Sequence, residues 1–481
     1  MPKLILEKVN EVYVKVHCEK SVSFELREAF TFTAPNYQFH PLFKSGVWDG
    51  KIRLYNSHTG FIYAGLLHYL EEFCKQSNYE FACAFETAAN EWSRRESEEF
   101  IKSLKLPLTP YEEQIDTFTY AVRNNRALFV SPTASGKSLM IYMNIMFYRL
   151  PTLLIVPTIA LVHQMKGDFT DYGIKGKAGM HLIYEGQDIN KKADITISTW
   201  QSIYELKEPW FKKFKVVIGD EAHLYKATSL KAIMEKLVDC PYRFGYTGTL
   251  DGTETNQMVL EGLFGPAKVV TTTKELIDSG KLSTLDIKII VLKHNVVNAK
   301  MFHKAAWHDE LEFLFSYAPR NKFIKNLALS LKGNTLLLFQ YVDKHGLILY
   351  NMIKKESKKR KVFFIHGGVE GEERNQIRAI VEKENDAIII ASEGTFSTGI
   401  NIKNLHNGIK AASSKGRIRN LQSIGRGLRL GDNKDGFTWY DIADDLTHNG
   451  FKNHTLKHLM DRIAIYNKEE FKYKTYTVGL K

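Results

Sequence analysis

The chain has 481 residues, of which 44% are hydrophobic and 25% are charged. This composition is typical of a folded globular protein and excludes an intrinsically disordered one, and the length predicts more than one domain. The longest apolar runs, such as Leu153–Val156, have the length of a strand and are too short to span a membrane. The four cysteines lack the spacing of a metal site or a disulfide framework, and the first residues lack a signal-peptide pattern. We therefore expect a cytoplasmic protein without membrane contact.

The net charge of +12 is unevenly distributed along the chain. Residues 1–100 hold 11 basic and 14 acidic side chains, residues 101–284 hold 22 and 19, and residues 285–481 hold 33 and 21. The excess of positive charge therefore lies in the last part, where Lys and Arg side chains can neutralise nucleic-acid phosphates. A run such as Lys354–Lys361 is also typical of an ordinary solvated surface.

Hydrophobic patterning in the first part of the chain predicts a small α+β domain over residues 1–85, followed by a charged linker over residues 86–106. Apolar and polar residues alternate at period two in Glu11–His17 and in Ser21–Leu26, which predicts strands. One helix is expected near Ala64–Gln76.

Two longer segments, residues 107–281 and 282–445, alternate strand-like apolar runs with helix-length stretches. This pattern predicts two α/β lobes, each with a parallel sheet. In the second lobe, buried strands are expected at Thr335–Phe339, Val362–His366 and Ala387–Ala391. Residues 446–481 are predicted to form a helical tail, because Leu456, Leu459, Ile463 and Tyr466 recur at helical spacing.

A candidate phosphate-binding loop follows the apolar run at Ala127. The segment Ala127–Ser138 predicts a buried strand, a tight loop and a helix that begins near Lys137, so that backbone N–H groups face the phosphate oxygens. Lys137 would reach the β- and γ-phosphates and Ser138 would ligate Mg²⁺. Ser131 stands where the general pattern has glycine, so the loop alone is weak evidence. The residues expected to contact the nucleotide here are Pro132, Thr133, Ala134, Ser135, Gly136, Lys137 and Ser138.

Two adjacent carboxylates end a second apolar run, Phe214–His223. Asp220 would hold Mg²⁺, through water, and Glu221 would position and polarise the attacking water molecule. Two acidic residues at a strand end also occur on ordinary surfaces. Their position about 80 residues after a phosphate loop favours the metal-binding half of an ATPase.

Together the segments Ser131–Ser138 and Asp220–His223 resemble motifs I and II of the superfamily 2 helicases. Further segments resemble the remaining motifs of that superfamily, in the same order along the chain. They are Leu153–Gln164 (motif Ia), Ile197–Ser202, Tyr246–Leu250 (motif III), Leu336–Gln340 (motif IV), Ser392–Asn401 (motif V) and Gln422–Arg429 (motif VI). The resemblance covers about residues 105–445, and it implies two RecA-like lobes of a P-loop NTPase with ATP and Mg²⁺ as cofactors.

The resemblance also implies roles for residues outside the two ATPase motifs. Arg426 and Arg429 are three residues apart, which on a helix places them on one face, and they would act as arginine fingers on the γ-phosphate. Gln422 would orient near the same phosphate, and Gly399 would contact the nucleotide. The residues expected to couple the ATP site to movement are His223, Thr247 and Thr249.

Two departures from the superfamily pattern stand out. Motif V ends in Asn401 where many relatives have Asp, so an ionic role at this position is in doubt. The segment Leu108–Gln114 resembles an adenine-recognising motif with its glutamine shifted. Tyr111 and Gln114 are assigned to adenine contact, and a helix cap with ordinary packing is the alternative.

Nucleic acid in this superfamily contacts both lobes, mostly through its backbone, so sequence-independent binding is expected. The residues assigned to these contacts are Thr158, His163, Thr199, Gln201, Arg374 and Thr395, although a structural role suits each of them equally well. In Phe39–Tyr55, aromatic residues alternate with Lys44, Lys51 and Arg53. Lys51 and Arg53 are further candidate DNA contacts, and Trp48 and Tyr55 suit the core of a small sheet equally well.

The segment Trp48–Leu54 ahead of a compact superfamily 2 core resembles the recombination helicases of bacteriophages, which act on branched DNA as the cellular RecG helicase does. This resemblance implies branch migration of Holliday junctions, fork regression and R-loop unwinding in recombination, repair and replication. It also implies a monomer in the host cytoplasm that binds branched DNA, single-stranded DNA and RNA–DNA hybrids, with a single-strand-binding protein as a candidate partner. An RNA helicase or RNA-remodelling ATPase and a non-catalytic nucleic-acid clamp are the alternatives, and the intact ATPase residues argue against the clamp.

Overall fold

A computed structural model describes residues 2–35, 37–85, 89–174, 179–399, 402–431 and 434–480, with only the backbone at residues 226 and 397–399. The chain divides into two compact units. Unit 1 comprises Met1–Ser131 and Gly136–Val270, and unit 2 comprises Pro132–Ser135 and Thr271–Lys481. Among the described residues, no helix combines the length and the apolar character that crossing a membrane requires.

The beginning of unit 1 is a small α+β structure, as predicted. Its strands are β1 (Lys3–Lys8), β2 (Tyr13–His17), β3 (Thr31–Thr33), β4 (Lys51–Arg53), β5 (Tyr55–Asn56), β6 (Phe61–Tyr63) and β7 (Glu80–Cys83), and its helices are α1 (Lys20–Ala29), α2 (Pro41–Lys44) and α3 (Leu67–Ser77). Five strands form a mixed sheet in the order β5-β6-β2-β1-β7, while β3 and β4 form a separate antiparallel ribbon.

The strand predicted at Ser21–Leu26 is wrong, because helix α1 covers this segment. Val22 and Leu26 are four residues apart, so they lie on one face of the helix, and both are buried, whereas Phe24 between them is 59% exposed. Over six residues a period-two pattern also contains the i,i+4 spacing of a helix, so the alternation did not distinguish the two structures.

The rest of unit 1 is a seven-stranded parallel sheet with helices. The strands are β8 (Arg126–Val130), β9 (Thr152–Val156), β10 (Met180–Ile183), β11 (Ile195–Thr199), β12 (Val216–Gly219), β13 (Tyr242–Thr247) and β14 (Ala267–Val269). The helices are α4 (Arg94–Ser103), α5 (Glu112–Asn124), α6 (Lys137–Tyr148), α7 (Ile159–Tyr172), α8 (Glu208–Phe211), α9 (Thr228–Lys236) and α10 (Glu254–Phe264). The strand order is β10-β11-β9-β12-β13-β8-β14. Within the segment 86–106, helix α4 begins at a capping box on Ser93 and buries Ile101 in the core of this sheet.

The small α+β structure packs directly on this sheet, because one hydrophobic core contains residues of both. The hydroxyl groups of Tyr13 and Tyr63 donate to the Glu235 carboxylate at 3.1 and 2.6 Å. Helix α10 approaches so closely that an added Cβ at Gly65 would lie 2.0 Å from the carbonyl oxygen of Glu261. The N-terminal residues are therefore an integral part of unit 1.

Unit 2 contains a second seven-stranded parallel sheet, of order β17-β18-β16-β19-β20-β15-β21. Its strands are β15 (Thr284–Lys293), β16 (Thr335–Phe339), β17 (Val362–Ile365), β18 (Ile388–Ser392), β19 (Asn407–Lys410), β20 (Gly436–Asp445) and β21 (Tyr473–Gly479). Its helices are α11 (Thr273–Asp278), α12 (Val296–Met301), α13 (Trp307–Ser316), α14 (Ala318–Ser330), α15 (Leu347–Glu356), α16 (Gly371–Lys383), α17 (Glu393–Gly399), α18 (Arg417–Gly427) and α19 (His454–Lys468). Two parallel sheets and a small α+β part confirm the predicted fold class. The segment 446–481 contains a strand in addition to its helix, since β21 pairs in parallel with β15.

Replacing Gly65 with alanine tests the close packing of the N-terminal residues on helix α10. The added methyl group would collide with backbone oxygens of Glu261 and Gly262, so we expect Gly65→Ala to lower the free energy of unfolding by about 1–3 kcal/mol. Gly167→Ala is the matched control, because a Cβ at this exposed position in α7 meets nothing within 4 Å. Calorimetric unfolding should show a lower transition midpoint for Gly65→Ala alone, and equal midpoints would contradict the packing described.

Candidate active site

The phosphate loop has the predicted form, with strand β8 before it and helix α6 beginning at Lys137. Ala134 and Gly136 both have positive φ angles, of 69° and 78°, and an added Cβ at Gly136 would lie 2.3 Å from the side-chain nitrogen of Gln114. Such left-handed residues point successive N–H groups into a small concave surface suited to an anion. The Lys137 ammonium donates to the carbonyl oxygen of Ser131 at 3.1 Å.

The two predicted carboxylates follow strand β12 directly. Asp220 is buried, and burial together with the neighbouring Glu221 carboxylate raises its pKa to about 7, while the Lys137 ammonium opposes this shift. Glu221 has a left-handed backbone with φ 49°, a conformation that is uncommon for a residue other than glycine and that is often found at functional sites. A buried carboxylate with a raised pKa favours the binding of a cation in place of its proton.

A bound Mg²⁺ fits the residues at this position. Oδ1 of Asp220 is buried and has no hydrogen-bond partner among the described residues, and the Ser138 hydroxyl lies 3.0 Å from the hydroxyl of Tyr172. In the part of the chain that the structure describes, no three His, Cys, Asp or Glu side chains form a metal site. One carboxylate and one hydroxyl, completed by phosphate and water oxygens, is the donor set that Mg²⁺ uses with nucleotides.

The three residues predicted to couple the site are connected to it by hydrogen bonds. Nδ1 of His223 lies 3.0 Å from the Thr247 hydroxyl and 3.3 Å from a Glu221 carboxylate oxygen. The Thr247 hydroxyl also donates to the carbonyl oxygen of Thr249 at 3.3 Å. A change at Glu221 can therefore reach the loop after strand β13 through one imidazole ring.

The residues assigned to adenine contact lie at the beginning of helix α5. The side chain of Gln114 is buried and its oxygen accepts the Tyr111 N–H at 2.9 Å, which is one half of a capping box. The Tyr111 ring is 41% exposed. The structure thus shows the helix cap, and adenine contact stays a prediction.

Motif VI differs from the prediction in one respect. Gln422 and Arg426 lie in helix α18, but the helix ends at Gly427, so the shared helical face predicted for Arg426 and Arg429 is wrong. The Arg429 carbonyl oxygen instead accepts hydrogen bonds from the Ser283 hydroxyl at 3.2 Å and from the Lys434 ammonium at 2.9 Å. Lys434 also donates to the Gly427 carbonyl, so it binds both the last residue of α18 and Arg429, two residues further along the chain.

Three of the predicted nucleic-acid contacts come together at the carboxyl edge of the first sheet. Thr158, Thr199 and Gln201 line one open cavity of about 650 Å³. Thr158 caps helix α7 and the Thr199 hydroxyl bonds Ser202, whereas Gln201 is exposed. His163 is exposed on α7, with its ring 5.2 Å from that of Tyr184, which also lines the cavity.

In unit 2 the remaining predicted contacts have structural partners. Arg374 donates from Nε to the Val369 carbonyl at 2.7 Å, and the Thr395 hydroxyl accepts from that of Ser392 at 2.7 Å. The predicted nucleotide contact Gly399 is the last residue of α17, and Ile400 and Asn401 of motif V lie outside the described residues.

In the N-terminal segment the structure confirms the predicted core position of Tyr55, while DNA contact by Lys51 and Arg53 stays a prediction. Tyr55 is buried and Trp48 is half-buried, while Lys44, Lys51 and Arg53 are exposed. The rings of Trp48 and Tyr55 therefore pack inward and the three cations face outward, with Arg53 in an ion pair with Asp49. Phe39 of the same segment is exposed.

Sequence reasoning missed Tyr184 and Lys434 as parts of these sites. Neither belongs to a helicase motif. Tyr184 follows strand β10, which pairs with β11 at the edge of the sheet, and it lines the same cavity as Thr158 and Thr199. Tyr184 could have been predicted from its position at the end of a strand that neighbours a strand carrying a helicase motif. No signal in the sequence indicates Lys434.

Comparisons with known proteins agree with this geometry. Three family models match: DNA helicase UvsW, N-terminal, at residues 7–84; type III restriction enzyme, res subunit, at residues 88–252; and helicase conserved C-terminal domain at residues 319–431. The ATP-dependent DNA helicase uvsW of Enterobacteria phage T4 is 33% identical over 499 aligned positions, which cover 97% of this chain and 98% of that protein. The DNA 3′-5′ translocase XPB2 of Sulfurisphaera tokodaii is 30% identical over 186 residues, 37% of this chain and 40% of that protein.

The crystal structure of T4 UvsW covers all of both chains at 30% identity, with a TM-score of 0.53. The likeness extends over nearly the whole chain, including the N-terminal residues, so it confirms the resemblance to the phage recombination helicases. The chain belongs to the UvsW family of superfamily 2 DNA helicases and is an ATP-hydrolysing helicase with two RecA-like lobes.

Proposed function

We propose that this helicase remodels branched DNA, by migrating Holliday junctions, regressing forks and unwinding R-loops in recombination, repair and replication. The observation that carries the proposal is the likeness to the T4 DNA helicase uvsW over 97% of the chain, N-terminal residues included. Its substrates are branched DNA, single-stranded DNA and RNA–DNA hybrids. It works as a monomer, and a single-strand-binding protein is its candidate partner.

In the proposed reaction, Lys137 binds the β- and γ-phosphates, and Ser138 and Asp220 hold Mg²⁺. The ion, when bound, neutralises the charge that develops on the phosphates. Glu221 orients the attacking water and accepts its proton. Gln422, Arg426 and Arg429 donate to the γ-phosphate.

Further residues of the proposed site bind the base and transmit the reaction. Tyr111 and Gln114 contact adenine, and Gly399 contacts the nucleotide. The hydrogen bonds among Glu221, His223 and Thr247 support a route from hydrolysis to the loop after β13.

The nucleic-acid track is proposed to follow the carboxyl edge of the first sheet, at the cavity lined by Thr158, Thr199 and Gln201. Hydroxyl and amide groups at such an edge suit phosphate oxygens, which carry no base sequence. His163, Arg374 and Thr395 are assigned to the same track, and sequence-independent binding follows.

Nucleic-acid stimulation of ATP hydrolysis tests the substrate class. Steady-state ATPase rates should rise most with a four-way junction or an R-loop, less with single-stranded DNA, and least with duplex DNA or RNA. Each nucleic acid should be present at the same concentration, counted in nucleotide residues of DNA or RNA. Stimulation by RNA alone would contradict the proposal and favour an RNA helicase.

Two substitutions test the assigned ATP site. Lys137→Ala removes the phosphate-binding cation and Glu221→Gln removes the proton acceptor, so each should lower turnover by at least about 100-fold. Glu221→Gln should still bind ATP with an affinity close to that of the unmodified protein, because its phosphate contacts remain. The exposed pair Lys102→Ala and Glu99→Gln on helix α4 provides matched controls. If either site variant hydrolysed ATP as fast as the unmodified protein, ATP would have to bind at a different site.

Charge reversal on the β3–β4 ribbon tests the N-terminal DNA contacts. Lys51→Glu with Arg53→Glu should weaken binding of a four-way junction and reduce the slope of log affinity against log salt by about 2, because two phosphate contacts are lost. The basal ATPase rate should be unchanged. The control, Lys3→Glu with Lys75→Glu, reverses two exposed cations elsewhere in the same structure. Equal affinities for the two double variants would return the ribbon to a structural role.

A further inference from the structure

A second cavity of unit 1, of about 470 Å³, lies between the second half of helix α7 and residues 180–191, and we call it the side pocket. Tyr184 and Gln187 line both the side pocket and the cavity assigned to the nucleic-acid track, so the two cavities adjoin. None of the described residues that line the side pocket belongs to a helicase motif. The proposed function therefore leaves this cavity without a role.

Helix α7 and strand β10 form two walls of the side pocket. Lys166 and Thr170 are four residues apart, so they lie on one face of α7 and both line the cavity. Strand β10 is at one edge of the first sheet, and its half-buried residues Met180 and Leu182 line the cavity from that edge. The lining thus combines an apolar part with polar groups, as ligand sites commonly do.

His181 contributes a buried polar group to the side pocket. The residue lines the cavity and is 6% exposed, and its Nδ1 atom has no hydrogen-bond partner among the described residues. Burial lowers the pKa of the imidazole, and the Lys191 and Lys213 ammonium groups lower it further, while the backbone of Asp188 acts in the opposite direction. The ring is therefore neutral at physiological pH, with one nitrogen that donates and one that accepts. A buried ring nitrogen without a partner is costly, which favours a ligand that supplies one.

Positive charge predominates around the side pocket. Lys166 and Lys191 are exposed where they line it, and the Lys213 ammonium lies 4.4 Å from the centre of the Trp210 ring, near enough to affect the pKa of His181. Asp188 also lines the cavity, but its carboxylate already accepts the N–H of Asn190 at 2.8 Å. This distribution complements the phosphate groups of a nucleotide.

These features together indicate the chemical class of the ligand. Apolar side chains suit the flat faces of a nucleobase, and the neutral imidazole and the Gln187 amide can each donate and accept at its edge. The lysines suit the phosphates that flank the base. A phosphate alone would leave the apolar lining unused, and a purely apolar ligand would leave the His181 nitrogen without a partner.

We propose that the side pocket receives one nucleobase turned out of the strand in the adjoining track, while Lys166 and Lys191 bind the phosphates beside it. Turning out a base costs least in a single strand, where no base pair is broken. All four bases carry donors and acceptors on their edges, so the pocket requires no particular base and agrees with sequence-independent binding. A base held in this way fixes the position of the strand on unit 1, whereas phosphate contacts alone allow it to slide. This inference rests on the nucleic-acid track of the proposed function.

A scan with single abasic residues tests the side pocket. The DNA is a duplex with a single-stranded thymidine tail, prepared in both polarities, because the duplex end fixes the position of the protein on the tail. Affinity is measured without ATP while one abasic residue is moved along the tail. Binding should weaken about tenfold at one position and by less than about twofold elsewhere, because only that base enters a pocket.

Two variants assign the sensitive position to the side pocket. Thr170→Trp fills the cavity from an exposed position of α7, and His181→Phe removes the ring nitrogens and keeps an aromatic ring. Each should weaken binding of the intact tail, by about tenfold for Thr170→Trp, and should remove the additional effect of the abasic residue. Asn326→Trp, at an exposed position of α14, is the matched control and should retain the profile of the unmodified protein. Because Thr170 is exposed, this variant decides the question even where thermal unfolding shows that His181→Phe is misfolded.

A photochemical crosslink locates the base directly. A 4-thiothymidine at the sensitive position should crosslink to residues 180–191 of the unmodified protein, and the crosslink should be lost in Thr170→Trp. Crosslinks to residues 197–202 in both proteins would place the base in the track and overturn the proposal.

The remaining outcomes separate the side pocket from the proposed function. A uniform abasic profile with normal tail binding would overturn the side pocket alone, whereas no binding of the tail would overturn the nucleic-acid track as well. If the profile is uniform and free thymidine monophosphate binds saturably to the unmodified protein but not to Thr170→Trp, the occupant is a free nucleotide instead of a base of the strand.

Discussion

Parallel pairing of the central strands of unit 1 is the constraint on which the candidate active site depends. Strand β13 lies between β12 and β8, so the acidic pair, the phosphate loop and the loop after Thr247 leave the sheet at one edge. Backbone hydrogen bonds continue this register beyond the strands: Ser131 N–H donates to the Thr247 carbonyl at 2.8 Å, and Asp220 N–H donates to that of Ile155 at 3.0 Å. Residues that are 116 and 65 positions apart in the chain are therefore held together by main-chain geometry, before any side chain takes part.

The same sheet supports the N-terminal residues. Their core is continuous with that of the first lobe, and the tyrosine pair on Glu235 adds directional bonds to the apolar contact. Burial, reinforced by this carboxylate, raises the pKa of Tyr13 to about 12, so the phenol stays protonated and remains a donor throughout the physiological range. The N-terminal residues are thus attached to the part of the chain that carries Lys137 and Glu221.

The sequence predicted the elements that short local patterns determine, and it did not predict the features that depend on tertiary contacts. The beginning of α6 at Lys137 and the strand before Asp220 follow from short patterns with one physical interpretation. The pattern of residues 21–26 is compatible with a strand and with a helix. The segment forms a helix because Val22 and Leu26 pack against the core on one helical face. The end of α18 depends on contacts from Ser283 and Lys434, which no local pattern at Arg429 contains. The exposure of Phe39, Leu42 and Val47 between β3 and β4 depends on tertiary packing, in which other rings of the segment take the inner positions, so the sequence alone did not indicate it.

The carboxyl edge of the second sheet is organised by buried charges. Arg320 of α14 and His294 bind Asp444 at the end of β20, Arg462 of α19 binds Asp441, and Lys410 at the end of β19 pairs with Glu393, the first residue of α17. Although burial alone would raise it, the Arg320 guanidinium holds the pKa of Asp444 below its ordinary value.

Buried ion pairs of this kind add little net stability, because desolvation offsets their attraction. Unlike apolar contacts, these ion pairs are directional. Each one fixes the end of a strand relative to one helix, whereas apolar contacts alone would allow the helix to slide. Removing one partner leaves a buried charge unpaired, at a cost of about 3–5 kcal/mol. Helix α17, which contains most of motif V, is therefore positioned by the ion pair between Glu393 and Lys410. A substitution at one of these two residues is tolerated only with a compensating substitution at the other. That restriction suits the proposed role of α17, in which Gly399 contacts the nucleotide and Thr395 contacts the nucleic acid.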